Sequence, residues 1–387
     1  MYKCENNVLG KLSPQQFLKE YWQKKPCLIR QAIPDFRCPI SPEELAGLAC
    51  EEGISSRLVI EKDSLHSWQV SYGPLTDEIF RDLPESHWTL LVQEVDHYHP
   101  EITALLDYFR FIPNWRIDDV MISYAAKHGS VGPHLDSYDV FLLQGMGKRN
   151  WQINPEAYDE NDFIPGLDLR IIENFQSTQE WILEPGDMLY LPPGTAHHGV
   201  AIEPCMTLSI GFLAPSSSEL INHFVEETFT GTLEDKRYSD PALKLQEYPG
   251  EITTQSLTSI RKLMRSMFDD DETINQWFGK YITNTNQAEM DETSSSGISM
   301  FKKLFKKHEV IYRSGDCRCA FIRNKNNLML FVNGDEYHLE ADDLRIAALI
   351  TERSLIHINE LSDFEKRDVA MKILCALYQN NIYFFDE

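Results

Sequence analysis

The first hundred residues contain two sequence signals for the start of a helix, and the first is followed by apolar residues at helical spacing. Ser13 precedes Pro14, which is typical of an N-cap followed by the first turn. A second start lies at Ser41, where Glu44 completes a capping box. The first helix carries one apolar face, made of Phe17, Leu18, Tyr21 and Trp22. We therefore predict packed helices, mixed with strands, in this part of the chain.

The pattern changes between residues 118 and 215 to short β-rich runs separated by glycine and proline. The runs read VMISYA, YDVFLLQ, RNWQI, WILEPGD, MLYLPPG, HHGVAI and CMTLSIGFL. Many short strands with this punctuation are typical of a sandwich or a barrel. The pattern therefore predicts an α+β fold in which helices and a barrel share residues 1–215.

Residues 216–290 return to a helical period with two apolar stripes. The stripes are Leu220, Ile221, Phe224 and Val225, then Leu257, Ile260, Met264 and Met267. Two such helices bury little on their own, so we expect the stripes to dock on a core or on another subunit.

A third unit is predicted for residues 300–387, after a linker, DETSSSGIS, at 291–299. Strands are expected around 319–322 and 328–332, joined to a further strand by an Asn333-Gly334 turn. A helix follows Asp342, and another follows a capping box of Ser362 and Glu365. The last helix has an apolar stripe of Val369, Ile373 and Leu377. Two helices and a hairpin resemble a small winged-helix unit.

The charge balance of this chain of 387 residues indicates which classes of binding partner are expected. It holds 36 Lys and Arg against 60 Asp and Glu, a formal net charge of −24. Gripping a phosphate backbone needs clustered basic residues, so we expect no direct nucleic-acid binding. A negative surface attracts basic proteins, although the acidity can also serve solubility alone.

Cysteine usage and hydropathy bear on the compartment. The eight cysteines are scattered and form no C-x-x-C pair, which favours reduced thiols in a cytosol. The N-terminal sequence has no apolar segment of a secretory signal, and no apolar run is long enough to span a membrane. We expect a cytoplasmic protein without membrane association.

The segment VGPHLDSYDV carries the first candidate chemistry. His134 and Asp136 are two residues apart, so an extended backbone places both side chains on one face. An imidazole beside a carboxylate is part of the two-His-one-carboxylate triad that non-haem Fe(II) oxygenases use. The motif alone is weak evidence, because a loop histidine is the ordinary alternative.

A returning histidine completes the predicted triad. Sixty-one residues after Asp136 (197 − 136 = 61), the run PGDMLYLPPGTAHHGV places two turns and a short strand before His197. We interpret this run as a barrel hairpin that brings His197 back to the first pair. His198 is the alternative ligand, although a regular strand would point it to the opposite face.

Arg149 is the candidate for binding an anion. It follows the turn at Gly145–Gly147, so we expect its strand to fold back beside the strand that follows Asp136. A buried guanidinium needs an anion, and its fork fits a carboxylate. The alternatives are an ordinary structural ion pair for Arg149, or a role for Lys148 instead.

A rival cluster lies at Asp96, His97 and His99. It precedes Pro100 and a predicted helix, and no third ligand returns to it along the chain. We interpret it as a surface or packing cluster.

With these residues identified, the chain resembles the JmjC-type 2-oxoglutarate oxygenases. Within them it is most similar to bacterial ribosomal oxygenases, which hydroxylate an arginine in a large-subunit ribosomal protein. The segments that carry the resemblance are WQVSYGP at 68–74, LLVQEVDHYHPE at 90–101, PNWRIDDVMIS at 113–123, GPHLDSYDVFLLQGMGKRNW at 132–151 and PGDMLYLPPGTAHHG at 185–199. The order of the three units also matches that family.

The resemblance implies an architecture and a set of reagents. The catalytic domain would be a double-stranded β-helix, the middle helices would form a homodimer, and the C-terminal domain would be a winged helix. We interpret that last domain as a protein-contact module, because its acidic character argues against DNA binding. The reaction would use Fe(II), 2-oxoglutarate and O2, and the partner would be a basic ribosomal protein of the large subunit.

The resemblance also implies site roles. His134, Asp136 and His197 would be the metal ligands and thus the catalytic residues. Arg149, helped by Ser123, would bind 2-oxoglutarate. The substrate guanidinium would meet Asp119, Tyr138 and Met121. We also expect an apolar shell around the site that includes Phe141 and Leu143, although the sequence does not give the facing of their side chains. The chain departs from the family pattern at Lys148 and Asn150, which flank Arg149, and at His198, where an acidic residue is usual.

Two alternatives to arginine hydroxylation stay open at this point. The same site would serve a histidyl hydroxylase or an N-methyl demethylase acting on another basic protein. A non-catalytic, acidic, dimeric adaptor is an alternative of a different class, although the complete triad and Arg149 argue against it.

Overall fold

The computed structural model describes residues 7–62, 68–156, 158, 162–166, 169–231, 237–285, 297–324, 327–361 and 367–386, without the side chains of 228–231. The chain divides into two compact units between Ala214 and Pro215. Each unit is described by itself.

The first unit contains five α-helices and eleven strands among its described residues. The helices are α1 Pro14–Glu20, α2 Pro42–Cys50, α3 Asp77–Arg81, α4 Val95–Tyr98 and α5 Pro100–Leu105. The strands are β1 Cys27–Ile29, β2 Ser56–Glu61, β3 Trp68–Tyr72, β4 Trp88–Val92, β5 Ile117–Ala125, β6 Asp139–Met146, β7 Arg149–Asn154, β8 Gln179–Leu183, β9 Met188–Leu191, β10 Ala196–Ala201 and β11 Cys205–Phe212.

Both predicted helix starts are confirmed. The Ser13 side chain caps α1 by accepting from the backbone N–H of Gln16, and the Gln16 side chain accepts from the N–H of Ser13. Ser41 and Glu44 form the same reciprocal cap on α2. Phe17 is fully buried on the predicted face of α1, and the rest of that stripe packs against the same core.

The strands form two antiparallel sheets. The large sheet has the order β1-β9-β6-β11-β5-β4-β2-β3, and the small sheet has the order β10-β7-β8. The outer face of the large sheet packs on the helices and holds the main core, which includes Phe141, Leu143 and Leu208. The inner face carries Val140 and Leu142, which cluster with Trp151 of the small sheet. The expectation that Phe141 and Leu143 surround the site is therefore wrong, because strand alternation points them outward.

The turns after β6 and β9 do not close hairpins. We expected β7 to fold back beside β6, but β6 pairs with β11 and β9, and β7 pairs with β10 and β8. The turn at Gly147 instead carries the chain from the large sheet to the small one. Gly147 has φ +60°, and a Cβ there would lie 2.2 Å from the carbonyl oxygen of Pro204. The turn at Pro192–Gly194 likewise joins β9 of the large sheet to β10 of the small one.

The second unit contains further helices and two small sheets. The helices are α6 Ser217–Gly231, α7 Thr254–Arg265, α8 Asp271–Thr283, α9 Ile298–His308, α10 Leu344–Glu352 and α11 Arg367–Gln379. The strands are β12 Val310–Arg313, β13 Cys319–Arg323, β14 Asn327–Val332, β15 Asp335–Glu340, β16 Leu355–His357 and β17 Tyr383–Phe384. They pair in the orders β16-β12-β17 and β13-β14-β15.

The predicted Asn333-Gly334 turn joins β14 to β15, with φ of +47° and +84° at its two residues. Such positive φ values match the strand twist in a two-residue hairpin. On α11, Ile373 and Leu377 are buried and Val369 packs beside them, as predicted. The predicted cap of Ser362 and Glu365 lies outside the described residues.

Two features differ from the predicted boundaries of this unit. Residues 298 and 299, which we placed in the linker, begin α9, while 291–296 lie outside the described residues. Helix α8, which we placed in the middle region, packs on the β13-β14-β15 sheet. Gly279 lies so close to the Phe331 ring that a Cβ would meet it at 2.3 Å. The sheet needs a cover for its apolar face, and α8 supplies it.

Apolar side chains of α6 and α7 stay exposed in this chain. Ile221, Leu257, Ile260 and Met264 are each at least 41% exposed, while Phe224 is buried against Trp277. In the described part of the chain, no helix combines the length and apolar character that crossing a membrane requires. The seven cysteines that the structure describes are free thiols.

Candidate metal centre and its cavity

The structure brings His134, Asp136 and His197 together. One ligand atom from each lies within 4.8 Å of the others, and His197 Nε2 is 3.6 Å from Asp136 Oδ2. This is the one group of three or more His, Cys, Asp or Glu side chains with such geometry among the residues described above. The two imidazole rings are 4.3 Å apart at their centroids.

Backbone hydrogen bonds hold the three residues in register. The N–H of His134 donates to the carbonyl of His197 at 3.0 Å, and the N–H of His197 donates back at 2.8 Å. The N–H of Gly194 donates to the carbonyl of Asp136 at 2.8 Å. The extended stretch before β6 is thus fastened to the start of β10, which brings the third ligand to the first two.

Each histidine points one nitrogen at its own backbone. His134 Nδ1 lies 3.0 Å from the Gly132 carbonyl oxygen, and His197 Nδ1 lies 3.0 Å from that of Thr195. A carbonyl only accepts, so Nδ1 carries the proton in both rings and Nε2 presents its lone pair to the centre. Two such nitrogens and a carboxylate fit a divalent metal of the facial-triad type.

The burial of His197 favours the ligand form of its ring. Burial, and then the neighbouring His134, lower the pKa of His197 to about 4. The imidazole is therefore neutral at physiological pH, as a metal ligand must be. The alternative ligand, His198, is half-buried on the other face of β10, where its ring lies 6.1 Å from that of Phe175.

Arg149 lies in the same cavity and is 3% exposed. Its Nη1 donates to Ser123 Oγ at 3.1 Å and to Thr207 Oγ1 at 3.3 Å, and Nη2 donates to the Gly199 carbonyl at 3.4 Å. Its Cζ lies 5.0 Å from the ring centroid of Trp151. The hydroxyls and the indole position the guanidinium without neutralising it.

Arg149 forms no ion pair with any carboxylate of the described chain, and its Nε has no hydrogen-bond partner there. Burial lowers the pKa of Arg149, because desolvation penalises the charged form. An unpaired buried cation is costly, and an anion from outside the chain would relieve the cost. The cavity therefore fits a small carboxylate beside the metal centre. Lys148 lies outside it, ion-paired with Glu184 at 2.6 Å.

Sequence reasoning missed two polar residues behind Arg149. Thr207 on β11 pairs with Ser123 on β5, and its hydroxyl donates to Gln144 Oε1 at 3.2 Å. Both Thr207 and Gln144 are buried. The available signal was in CMTLSIGF, where Thr207 and Ser209 alternate with apolar residues in a strand that is buried on both faces.

The cavity has a volume of about 110 Å³. Its lining includes all eight residues that the resemblance assigned to the metal, the cosubstrate or the substrate, namely Ser123, Asp119, Met121, His134, Asp136, Tyr138, Arg149 and His197. Both sheets contribute, since Arg149 and His197 come from the small sheet and Asp119, Met121 and Ser123 from the large one.

Asp119 is the remaining acid of the cavity besides Asp136 among the residues described. Its Oδ2 accepts from the N–H of Glu94 at 3.0 Å. Burial raises the pKa of Asp119 to about 7, and the neighbouring acids Asp118, Asp96 and Glu94 add to the rise. Tyr138, 41% exposed, stands at the opening of the cavity. A cationic side chain would find its counter-charge at Asp119.

The rival cluster has a packing role, as predicted. Asp96 is 3% exposed, and its Oδ1 accepts from the N–H of Val120 at 2.8 Å. His97 lies 3.9 Å from Asp96 Oδ2 and 4.0 Å from Glu94 Oε2. The bond between Asp96 and Val120 fastens α4 to β5, close to Asp119, while the His97 contacts stay within α4 and its N-cap residue Glu94.

Comparison with known proteins gives two family matches. Residues 104–220 match the JmjC domain, and residues 265–384 match the ROXA-like winged helix. The JmjC match agrees with the predicted double-stranded β-helix, and the second match with the predicted winged helix, which are thereby confirmed. The winged-helix match begins before α8, in line with the packing of that helix.

Curated relatives match over most of the chain. The ribosomal protein uL16 3-hydroxylase of Escherichia coli is 37% identical over 377 residues, 96% of this chain and 97% of that protein. A probable ribosomal oxygenase of Haemophilus influenzae is 31% identical over 84% of this chain and 82% of its own length.

Solved structures agree with these relatives. The crystal structure of E. coli YcfD superposes with a TM-score of 0.86 at 34% identity, covering 97% of this chain and 99% of that one. A second YcfD structure, in complex with cobalt and 2-oxoglutarate, gives a TM-score of 0.83 at 33% identity over the same shares.

Proposed function

This chain belongs to the JmjC-type ribosomal oxygenases, and from that premise we propose that it is a protein arginine hydroxylase. It would act on an arginine side chain of a large-subunit ribosomal protein, with Fe(II), 2-oxoglutarate and O2. The relative at 37% identity is named for the 3-hydroxylation of uL16, so uL16 is the proposed substrate.

One observation supports the proposal most strongly: a single cavity is lined by a buried cation, a triad of metal ligands and a separate carboxylate. The unpaired guanidinium of Arg149 lies in its wall, the His134, Asp136 and His197 triad lies beside it, and the carboxylate of Asp119 also lines it. An anionic cosubstrate, a divalent metal and a cationic substrate side chain each find one matching group. An adaptor that has lost turnover would have no use for all three.

His134, Asp136 and His197 would hold the metal. Fe(II) bound there, with 2-oxoglutarate and O2, supplies the oxidising power for hydroxylating an unactivated C–H bond. The chain's own share is to fix the tautomer of both imidazoles through the two Nδ1 hydrogen bonds, so that each Nε2 points to the centre, and to keep His197 neutral through its burial. Three ligands from the chain leave coordination positions for the cosubstrate and O2.

Arg149 would bind the carboxylate of 2-oxoglutarate that is far from the metal. Ser123 and Thr207 hold one edge of its guanidinium, and the Trp151 ring lies against it. These contacts pre-organise the cation, so little side-chain entropy is lost when the carboxylate arrives. The low dielectric of the buried site strengthens the ion pair that forms.

Asp119 would bind the guanidinium of the target arginine, beside Tyr138 and Met121. A carboxylate and a guanidinium form a charge-assisted pair with two parallel hydrogen bonds. The N–H of Glu94 holds Oδ2 of Asp119 in place, and the carboxylate keeps further lone pairs for the substrate. A bound guanidinium would shift Asp119 toward its ionised form, because the nearby positive charge lowers its pKa.

We further propose a homodimer that forms through α6 and α7. Ile221 on α6 and Leu257, Ile260 and Met264 on α7 are exposed apolar side chains, and concentrated apolar exposure marks contact sites. An Ile260→Glu substitution should convert the dimer to a monomer in light scattering after size exclusion. Lys262→Glu, on the same helix, is the control.

The domain roles and the location complete the proposal. The catalytic domain would span 1–215, α6 and α7 would form the dimer, and the winged helix, which includes α8, would contact protein. The cytoplasm is the proposed location, because the proposed substrate is a ribosomal protein.

The test is an assay on purified uL16 with Fe(II), 2-oxoglutarate and O2. We expect a mass gain of one oxygen, which fragmentation assigns to an arginine side chain. His197→Ala should abolish the gain, and His198→Ala, which alters the adjacent residue on the other face of β10, should keep it. A modification on histidine, or loss of a methyl group, would replace the arginine proposal by one of its alternatives.

A further inference from the structure

Arg57 is a second cation of the cavity to which the reaction gives no role. It lies on β2, where it pairs with Tyr72 of β3 on one side and with Leu91 of β4 on the other. Leu91 in turn pairs with Ser123 of β5. Paired residues of neighbouring strands point to the same face. Tyr72, Arg57, Leu91 and Ser123 therefore form one row that runs from the Arg149 end of the cavity to the edge of the large sheet.

The guanidinium of Arg57 has no hydrogen-bond or ion-pair partner in the described chain, and its Nε is shielded from solvent. Arg149, in contrast, has hydroxyl and carbonyl acceptors. Shielding an N–H donor without a partner costs free energy, so an acceptor from outside the chain would stabilise this arrangement.

Neither the target arginine side chain nor 2-oxoglutarate would bind to Arg57. A substrate guanidinium carries the same charge and would be repelled by it. The far carboxylate of 2-oxoglutarate is matched by Arg149, and Arg57 lies two strands from Ser123, roughly 10 Å at the spacing of strands in a sheet. The remaining acceptor that every protein substrate brings is the backbone carbonyl.

Tyr72 extends the same row onto the protein surface. It is 60% exposed and lies on β3, the last strand of the large sheet. Exposed aromatic side chains beside an arginine are the residue types that dominate protein-binding surfaces. A polypeptide whose target side chain enters beside Asp119 and Tyr138 would cross Arg57 and Tyr72 on its way out.

We propose that Arg57 and Tyr72 form a subsite for the backbone of the substrate polypeptide next to the target residue. The Arg57 guanidinium donates to a backbone carbonyl, and the Tyr72 ring packs on the same segment. The subsite rests on the proposed function, since it needs a polypeptide in the cavity. It binds through the main chain and leaves recognition of the side chain to Asp119.

The test uses a fluorescein-labelled uL16 peptide centred on the target arginine and the full-length protein. Binding is measured by fluorescence anisotropy without O2, and turnover is measured separately with O2. Arg57→Gln should raise the Kd and the KM for the peptide about tenfold, as loss of a charged hydrogen bond does, and leave the KM for 2-oxoglutarate unchanged. Arg57→Lys should be intermediate, because it keeps the charge and loses the fork.

Two further variants complete the design. Tyr72→Ala, on the exposed edge, should weaken peptide binding without changing the thermal unfolding temperature. Arg81→Gln removes another arginine, one that is 70% exposed on α3 and lies outside the cavity, and should change nothing.

Each outcome bears on the subsite separately from the reaction. An unchanged peptide Kd in a folded Arg57→Gln protein would overturn the subsite, as would a raised KM for 2-oxoglutarate at constant peptide affinity. Peptide binding that depends on Arg57 without any hydroxylation would support the subsite and contradict the proposed function. No peptide binding by the unsubstituted protein would overturn both.

Discussion

His134 and His197 exchange two backbone hydrogen bonds, at 3.0 and 2.8 Å, although 63 residues separate them (197 − 134 = 63). This pairing fixes the relative positions of the metal ligands through the backbone. The side chains inherit their positions from the backbone, and each Nδ1 is occupied by a carbonyl of its own segment. The site is therefore largely pre-organised, which lowers the entropy cost of metal binding.

Loss of the carboxylate ligand should remove metal binding and leave the fold. Asp136→Ala deletes the one anionic ligand, so the Mn(II) affinity, followed by electron paramagnetic resonance, should fall by more than the roughly 10–100-fold that an outer-shell partner contributes. His198→Ala is the matched control. An Asp136→Ala protein that still bound Mn(II) normally would contradict the assignment of the triad.

Arg149→Met should abolish the stabilisation of the protein by 2-oxoglutarate. A ligand that binds only the folded state raises the unfolding temperature, and Arg149 supplies the cation for that binding. A thermal shift measured with Mn(II), with and without 2-oxoglutarate, reports it. Lys148→Met, at the exposed neighbour, should keep the full shift. A persisting shift in Arg149→Met would place the cosubstrate elsewhere.

Thr207→Val should weaken cosubstrate binding without removing it. Valine has a similar shape but lacks the hydroxyl that accepts from Arg149 and donates to Gln144. Loss of these bonds should raise the KM for 2-oxoglutarate about tenfold, in keeping with about 1–2 kcal/mol. Steady-state kinetics at saturating peptide measure it, and an unchanged KM would show that Thr207 does not position Arg149.

The KM for the peptide should fall as the pH rises through about 7. Asp119 binds the guanidinium only when ionised, and burial raises its pKa to about 7, so the ionised fraction grows over this range. Asp119→Asn should give a high KM that does not vary with pH. A pH profile of kcat/KM for both proteins tests this, and an identical slope in the two would contradict the role of Asp119.

The same pKa shift predicts that the stability of the fold decreases with rising pH, whereas substrate binding improves. The folded-state pKa of Asp119, about 7, lies above the unfolded value, so its ionisation lowers the free energy of unfolding as the pH rises from the unfolded pKa to about 7, and the loss is complete above that. Asp119→Asn should therefore be the more stable protein at pH 8, and the difference should shrink toward pH 5. Urea unfolding at the two pH values measures it.

Local chemistry explains why the sequence predicted the helix starts and the cluster of ligands. Ser13 and Ser41 define their helices by hydrogen bonds within four residues. The H-x-D spacing needs only an extended backbone to align His134 with Asp136. Such short-range features can be predicted from the sequence, because the residues that form the structure are the same neighbouring residues that make the recognisable motif.

The sequence did not predict which strands pair with each other in the sheets. The turn at Gly147 signals a reversal, but it does not say whether β7 joins β6 or crosses to another sheet. That choice depends on β10 and β8, which lie far along the chain. The sequence left the facing of Phe141 and Leu143 undetermined and missed the pair of Thr207 and Gln144 because it lacks the same long-range information.

The most direct measurement is intact-mass spectrometry of ribosomal proteins from cells with the gene, without it, and with an Asp136→Ala copy. We predict that uL16 gains the mass of one oxygen on an arginine only when the unsubstituted protein is present. A uL16 mass that is identical in all three strains would contradict the proposed substrate, even if the purified protein bound metal and 2-oxoglutarate.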